Sequence, residues 1–210
     1  ELKKKYIDAS AELLSYCIKY DSLLVLDAEM KPEDKEKEHK IYQPKGVNSA
    51  IQLLQAAQNY SNSENQEELK QGAKYAEIFI NAMENSNLMK DFKHAELEGW
   101  KTYSKAFRAQ SYLNIEGTPE ETIVNAYKAL FNTNFKGIAY QSLMNYYREK
   151  DKAKQNLYLQ EGIDALKGDA EQKDLRANFV TILMQNQFQA GDKEGFMKTA
   201  EIMKTEFADD

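Results

Sequence analysis

From Gly117 to Phe207 the chain repeats one device: an apolar stripe at three- and four-residue spacing, closed by a short polar break. Residues recurring at i, i+3, i+4 and i+7 share one face of an α-helix, and that face must be buried. The breaks Gly117-Thr118, Lys150-Asp151 and Gly191-Asp192 stand 33 and 41 residues apart. Connections of two to four residues leave a helix nowhere to go but back along its predecessor, so successive helices form antiparallel hairpins.

One helix start fixes the frame. Thr118-Pro119-Glu120-Glu121 combines a capping hydroxyl, a proline at the first helical position and a glutamate at capping-box distance. A helix through Ile123, Ala126, Tyr127 and Leu130 follows, and Asn134 to Gly137 ends it. Four more helices read as Ile138 to Glu149, Lys152 to Leu166, Asp174 to Ala190 and Asp192 to Phe207, punctuated by Gly168-Asp169 and Gly191-Asp192.

Upstream, Leu2, Tyr6, Ile7, Leu13, Leu14, Cys17, Ile18 and Leu24 predict one long amphipathic helix from Leu2 to about Met30. Lys31 to Lys40 holds eight charged residues in ten, and Pro44 and Gly46 follow. Proline lacks the amide and glycine lacks backbone restraint, so this stretch reads as a solvated loop. Its mixed signs predict no strong field, which favours a loop over a charged docking arm. Asn48 then caps a short helix carrying Ile51, Leu54 and Ala57. Ser63 and Gln66 stand at capping-box spacing and open a helix to about Met83. Another runs from about Phe92 to Leu113 and ends at Gly117.

About nine helices result, with no segment of period-two alternation, and the fold class is all-α. One domain over residues 1–210 is expected: an N-terminal helix and charged loop (1–46), a divergent hairpin (47–90) and three further hairpins (91–210).

Composition excludes several functions. With 34 acidic and 28 basic residues the formal charge is -6, the wrong sign for a surface that neutralises phosphates, so nucleic acid is not expected as a partner. Repeat readers of RNA, also all-helical, are generally basic. The single cysteine forbids an internal disulfide, and two histidines leave little for a zinc cage, so no metal and no cofactor is expected. The longest aliphatic run, Leu23 to Leu26, is far short of the ~20 apolar residues of a membrane span, and no membrane insertion is expected. The numbering opens at Glu1 rather than Met, which suits an exported chain that has lost a signal peptide, with a cytoplasmic location as the alternative.

The hairpins share a template. Aromatics lie near the end of each first helix (Tyr112, Tyr146 with Tyr147, Phe188), and small residues lie inside each second helix (Ala126 with Ala129, Gly162 with Ala165, Gly195 with Ala200). In this respect the chain resembles the tetratricopeptide repeat (TPR) family, whose unit is a helix, a turn often written Gly-Asp and a second helix opening near a small residue. The matching segments are Gly191-Asp192-Lys193-Glu194-Gly195-Phe196, with Leu183 and Met184 before it, then Gly117 to Thr122, then Ala139, Leu143, Tyr146 and Tyr147 in the middle unit. The family's closing proline is absent from all three units. The resemblance implies a right-handed α-solenoid of stacked hairpins over about Phe92 to Asp210, and an ordinary helical bundle is the alternative.

It also implies a groove. The first helices of such arrays line a concave peptide-binding face, and carrying those positions over gives Tyr140, Met144, Tyr147 and Arg148 in the middle unit. The last unit gives Asn178, Thr181, Gln185, Phe188 and Gln189. A non-enzymatic module binding a protein or peptide segment is the leading functional expectation. Packing between units is the competing role for Tyr147 and Phe188. Capture of a glycan or small molecule by aromatics such as Trp100 is the alternative function, in the manner of exported bacterial helical-repeat proteins.

Motifs for catalysis are missing: there is no G-x-S-x-G, P-loop or H-E-x-x-H. His94 and Glu98 stand four apart on the predicted helix without a second histidine, and Cys17 sits on the apolar stripe as a core thiol would. Glu67-Glu68 and Asp209-Asp210 lie in polar runs and read as solvated. Asn59-Tyr60-Ser61 fits a glycosylation acceptor, a pattern common by chance.

Overall fold

A computed structural model of the chain describes residues 2–207. Among the described residues there are nine α-helices and no strand: α1 (Leu2–Leu26), α2 (Pro32–Tyr60), α3 (Gln66–Asn85), α4 (Leu97–Asn114), α5 (Glu120–Lys128), α6 (Lys136–Tyr147), α7 (Lys152–Ala165), α8 (Lys173–Ala190) and α9 (Lys193–Glu206). Short 3₁₀ turns, Asn87–Met89 and Ala170–Gln172, precede α4 and α8. The chain divides into two compact units, one up to Ala126 and one from Tyr127, with the boundary inside α5. Within each unit helices pack in sequence order: α1 on α2, α2 on α3 and α3 on α4 in the first, α6 on α7, α7 on α8 and α8 on α9 in the second.

The first unit departs from expectation at α2. The charged stretch from Lys31 is the first part of a 29-residue helix, not a loop, and Pro44 and Gly46 lie inside it. The start is well signalled, with Pro32 at the first position and Glu33 and Asp34 in the first turn, where the helix dipole favours negative charge. Lys37 pairs with Asp34 and Lys40 with Glu36 on the same face. His39 reaches the buried Asp21 of α1 at 2.5 Å. Tyr42 packs on Tyr20, ring centroids 4.3 Å apart. These contacts hold the helix through Pro44 and carry it into its buried face of Val47, Ala50, Leu53, Ala56 and Ala57. Gly46 has a packing role, since a β-carbon there would meet Leu88 Cδ2 at 2.5 Å. Asn48 is therefore mid-helix and caps nothing.

Two other boundaries shift. The cap of α3 is Asn65, whose side chain accepts from the amides of Glu67 and Glu68, while Ser63 donates to the Glu68 carboxylate. The segment from Phe92 to Glu96 precedes α4 rather than opening it. The first core gathers Ile7, Leu14, Cys17, Leu53, Tyr75 and Phe79 from α1, α2 and α3.

In the second unit the predicted helices stand within two residues of the observed ends. Its core is Leu143, Leu159, Ile163, Phe179, Val180 and Leu183. Burying a side chain the size of Phe179 contributes roughly 2–3 kcal/mol.

Candidate functional site

The last hairpin turns in two residues. Gly191 ends α8 in the left-handed region, φ 70°, which an L side chain adopts only at a cost, and its amide hydrogen-bonds the carbonyls of Gln187 and Phe188. Asp192 then caps α9, its carboxylate accepting from the Gly195 amide at 2.9 Å. So short a connection fixes α9 alongside α8.

One face of α8, with Phe179, Val180 and Leu183, is buried. The face beside it points outward and carries Asn178, Thr181, Gln185, Phe188 and Gln189, all exposed. Thr181, Met184, Gln185 and Phe188 of α8 with Phe196 and Met203 of α9 line an open groove of about 270 Å³. Phe188 is 74% exposed, and its ring stands 6.0 Å from that of Phe196, tilted by 55°. The Thr181 hydroxyl donates to the Ala177 carbonyl of its own helix. No lining residue is titratable.

A groove so lined suits an apolar side chain: two thioethers that adapt to shape, two rings that supply area and one carboxamide that can bond a peptide backbone. Its volume is just below the range of ligand pockets, which suits a single side chain better than a whole small molecule.

The nine groove residues expected from sequence are thus divided. Thr181, Gln185 and Phe188 line the groove, and Asn178 and Gln189 flank it on the exposed face of α8. Arg148 is exposed at the end of α6, donating to the Asn145 side chain. Tyr140, Met144 and Tyr147 are buried in the second core. Tyr140 stacks on Phe131 at 4.1 Å, and burial pushes its phenol up. Tyr147 stacks on Tyr158 at 5.7 Å. Their side chains pack helices together and present no surface to a partner. Phe196 and Met203 carry a signal that sequence alone could have used, seven residues apart on one face of α9.

The remaining candidates do not converge on a site. His94 lies before α4, its Nδ1 accepting from the Glu96 amide and its ring stacked on Trp100 at 4.4 Å, while Glu98 pairs with Lys101. Trp100 is half-buried at the edge of the first core. Cys17 is fully buried, and burial raises its thiol pKa, which disfavours the nucleophilic thiolate. Glu67 and Glu68 are exposed in the first turn of α3; Asp209-Asp210 lie outside the described residues. Ser61 of the Asn59-Tyr60-Ser61 triplet is buried, its hydroxyl donating to the Gln58 carbonyl. Among the described residues no group of three His, Cys, Asp or Glu side chains could hold a metal ion, and no helix is long and apolar enough to cross a membrane.

No protein-family model, no curated protein and no solved structure matches the chain.

Proposed function

We propose that the protein is a non-catalytic interaction module of TPR-like construction, and that the α8–α9 groove binds a peptide or protein segment through an apolar anchor side chain. The observation that carries this reading is the exposure of Phe188 beside a groove walled by Met184, Met203 and Phe196. A phenyl ring held in water gains roughly 25 cal/mol for each Å² that a partner covers. The short, capped turn supplies rigidity, so little ordering entropy is lost on binding. The Gln185 carboxamide and the exposed amides of Asn178 and Gln189 provide hydrogen bonds to an extended backbone. TPR-like construction is supported by the Gly191-Asp192 turn and by the close α6–α7 and α8–α9 hairpins.

The test is selection from a displayed random-peptide library against the purified chain, followed by affinities for wild type and Phe188→Ser. Enriched peptides sharing an apolar anchor, weakened tenfold or more by a variant of unchanged melting temperature, support the groove. Peptides that bind the variant equally well place the binding elsewhere.

A further inference from the structure

α1 carries two heptad stripes where a helix on the surface of a domain needs one. The inner stripe, Ile7, Ser10, Leu14, Cys17, Asp21 and Leu24, is buried against α2 and α3. One residue earlier at every step runs a second: Tyr6, Ala9, Leu13, Tyr16, Tyr20 and Leu23, spaced 3, 4, 3, 4 and 3, all exposed except Tyr20, which is half-buried against Tyr42. Tyr16 is 56% and Leu13 44% exposed. A strict alternation of three and four over about 25 Å of helix is the spacing of a coiled-coil seam, which a partner helix of the same period can cover by knobs-into-holes packing.

The seam is complementary to itself when reversed. In the antiparallel register that sets Leu13 against Tyr16 of a second copy, Tyr6 meets Leu23 and Ala9 meets Tyr20, and the same contacts recur across the twofold axis. Every layer then pairs one tyrosine with one smaller side chain. A parallel pairing in register would instead set Tyr6, Tyr16 and Tyr20 each against itself. The large-on-small match has a counterpart in the surface: beside Ala9, between α1 and α2, lies a hollow of about 380 Å³ lined by Tyr6, Leu13, Lys45, Asn48 and Gln52. It lies where the Tyr20 ring of the second copy would enter. Charge agrees with the same register, because exposed Glu12 and Lys19 flank the seam and come within two residues, about 3 Å of rise, of Lys19 and Glu12 of the other chain, within reach of these long side chains. Tyr42 of α2 braces Tyr20 and Tyr16 from behind at 4.3 and 6.4 Å, so the seam is ordered before it is covered.

We infer that α1 is a self-association seam, and that two copies of this chain pair through it antiparallel, joining two α1–α2 hairpins. This face is distinct from the α8–α9 groove and does not depend on the function proposed for it.

Sedimentation equilibrium of the whole chain over about 1–100 µM, with helicity followed by circular dichroism, tests the inference. Wild type is expected to dimerise, and Tyr16→Glu to remain monomeric with its helicity intact. Glu12→Lys and Lys19→Glu should each weaken the dimer about three- to tenfold, because two attractive pairs become repulsive. The doubly reversed chain should recover wild-type affinity, a result that general loss of fold cannot imitate. A wild-type chain monomeric throughout, a dimer indifferent to Tyr16→Glu, or a double reversal without recovery would overturn the proposal.

Discussion

The ring of Phe179 fills the space that a β-carbon on Gly162 would need: its Cε2 would stand 2.6 Å from that carbon and its Cδ2 2.8 Å. Phe179 is fully buried, so neither ring nor helix can move aside without disturbing the α7–α8 contact. Gly162→Ala is therefore expected to destabilise the protein by about 1–3 kcal/mol, although alanine is the better helix former by about 1 kcal/mol. Gly99→Ala is the control, since its nearest neighbour would be Tyr103 Cε2 at 3.7 Å, an ordinary contact. That change should be neutral or mildly stabilising. Urea midpoints of the two variants, moving in opposite directions, check the argument.

Pro44 is exposed within α2, where it leaves the Lys40 carbonyl without its helical donor. Pro44→Ala restores that donor and relieves the ring clash, and loses up to about 1 kcal/mol by loosening the unfolded chain. The net expectation is a gain of about 1–2 kcal/mol, seen as a higher melting temperature. A lower one would mean that the proline ring itself holds the helix against its neighbours.

Acid should loosen α9. Arg176, almost wholly buried, donates through Nε to the Ile163 carbonyl at 2.7 Å and pairs through Nη1 with Glu206 at 2.6 Å. The hydrogen bond from Arg176 is the main reason that the Glu206 carboxyl is held below its ordinary 4.5. A carboxylate with a depressed folded pKa contributes stability above that ordinary value and loses it as the pH falls through the folded one. The protection factors of the α9 amides, taken relative to intrinsic exchange at each pH, should therefore fall below about pH 4.5 in wild type. In Glu206→Gln that pH dependence should be much reduced.

Tyr75 is buried and donates to Asp8 Oδ1 at 2.7 Å. Burial, and then the Asp8 hydrogen bond, push its phenol far up, while Lys4 first and Tyr75 second hold the Asp8 carboxyl down. Tyr75→Phe should cost about 1 kcal/mol and let the Asp8 titration move back towards its ordinary value in a carboxylate NMR titration. An unmoved Asp8 would assign its depression to its lysine neighbours, Lys4 before Lys74.

The second unit was legible in the sequence because its signals are local. Gly191 and Asp192 form a turn by their own chemistry, and the stripes of α6 to α9 were bounded by such turns. The first unit was less legible at α2, where local stop signals at Pro44 and Gly46 lost to contacts from far along the chain: Asp21 with His39, Tyr20 with Tyr42 and Leu88 against Gly46. The same blindness affected α1, whose apolar positions read as one stripe and are two, because spacing cannot tell Leu13 from Leu14 until a neighbouring helix covers one of them. Of the residues expected to form the groove, those on α8 are exposed, whereas Tyr140, Met144 and Tyr147 of α6 are buried. Tyr147 and Phe188 are both aromatics at helix ends, and only packing separates the buried one from the exposed one.

The central claim, an apolar anchor seated between α8 and α9, is tested most directly by methyl NMR of the seven methionines during titration with a peptide selected on the wild-type chain. Saturable shifts are expected at Met184 and Met203, which line the groove, and none at the core residues Met83 and Met144. Phe188→Ser should abolish those shifts at the same peptide concentration. Shifts that leave Met184 and Met203 unmoved while the peptide binds would contradict it.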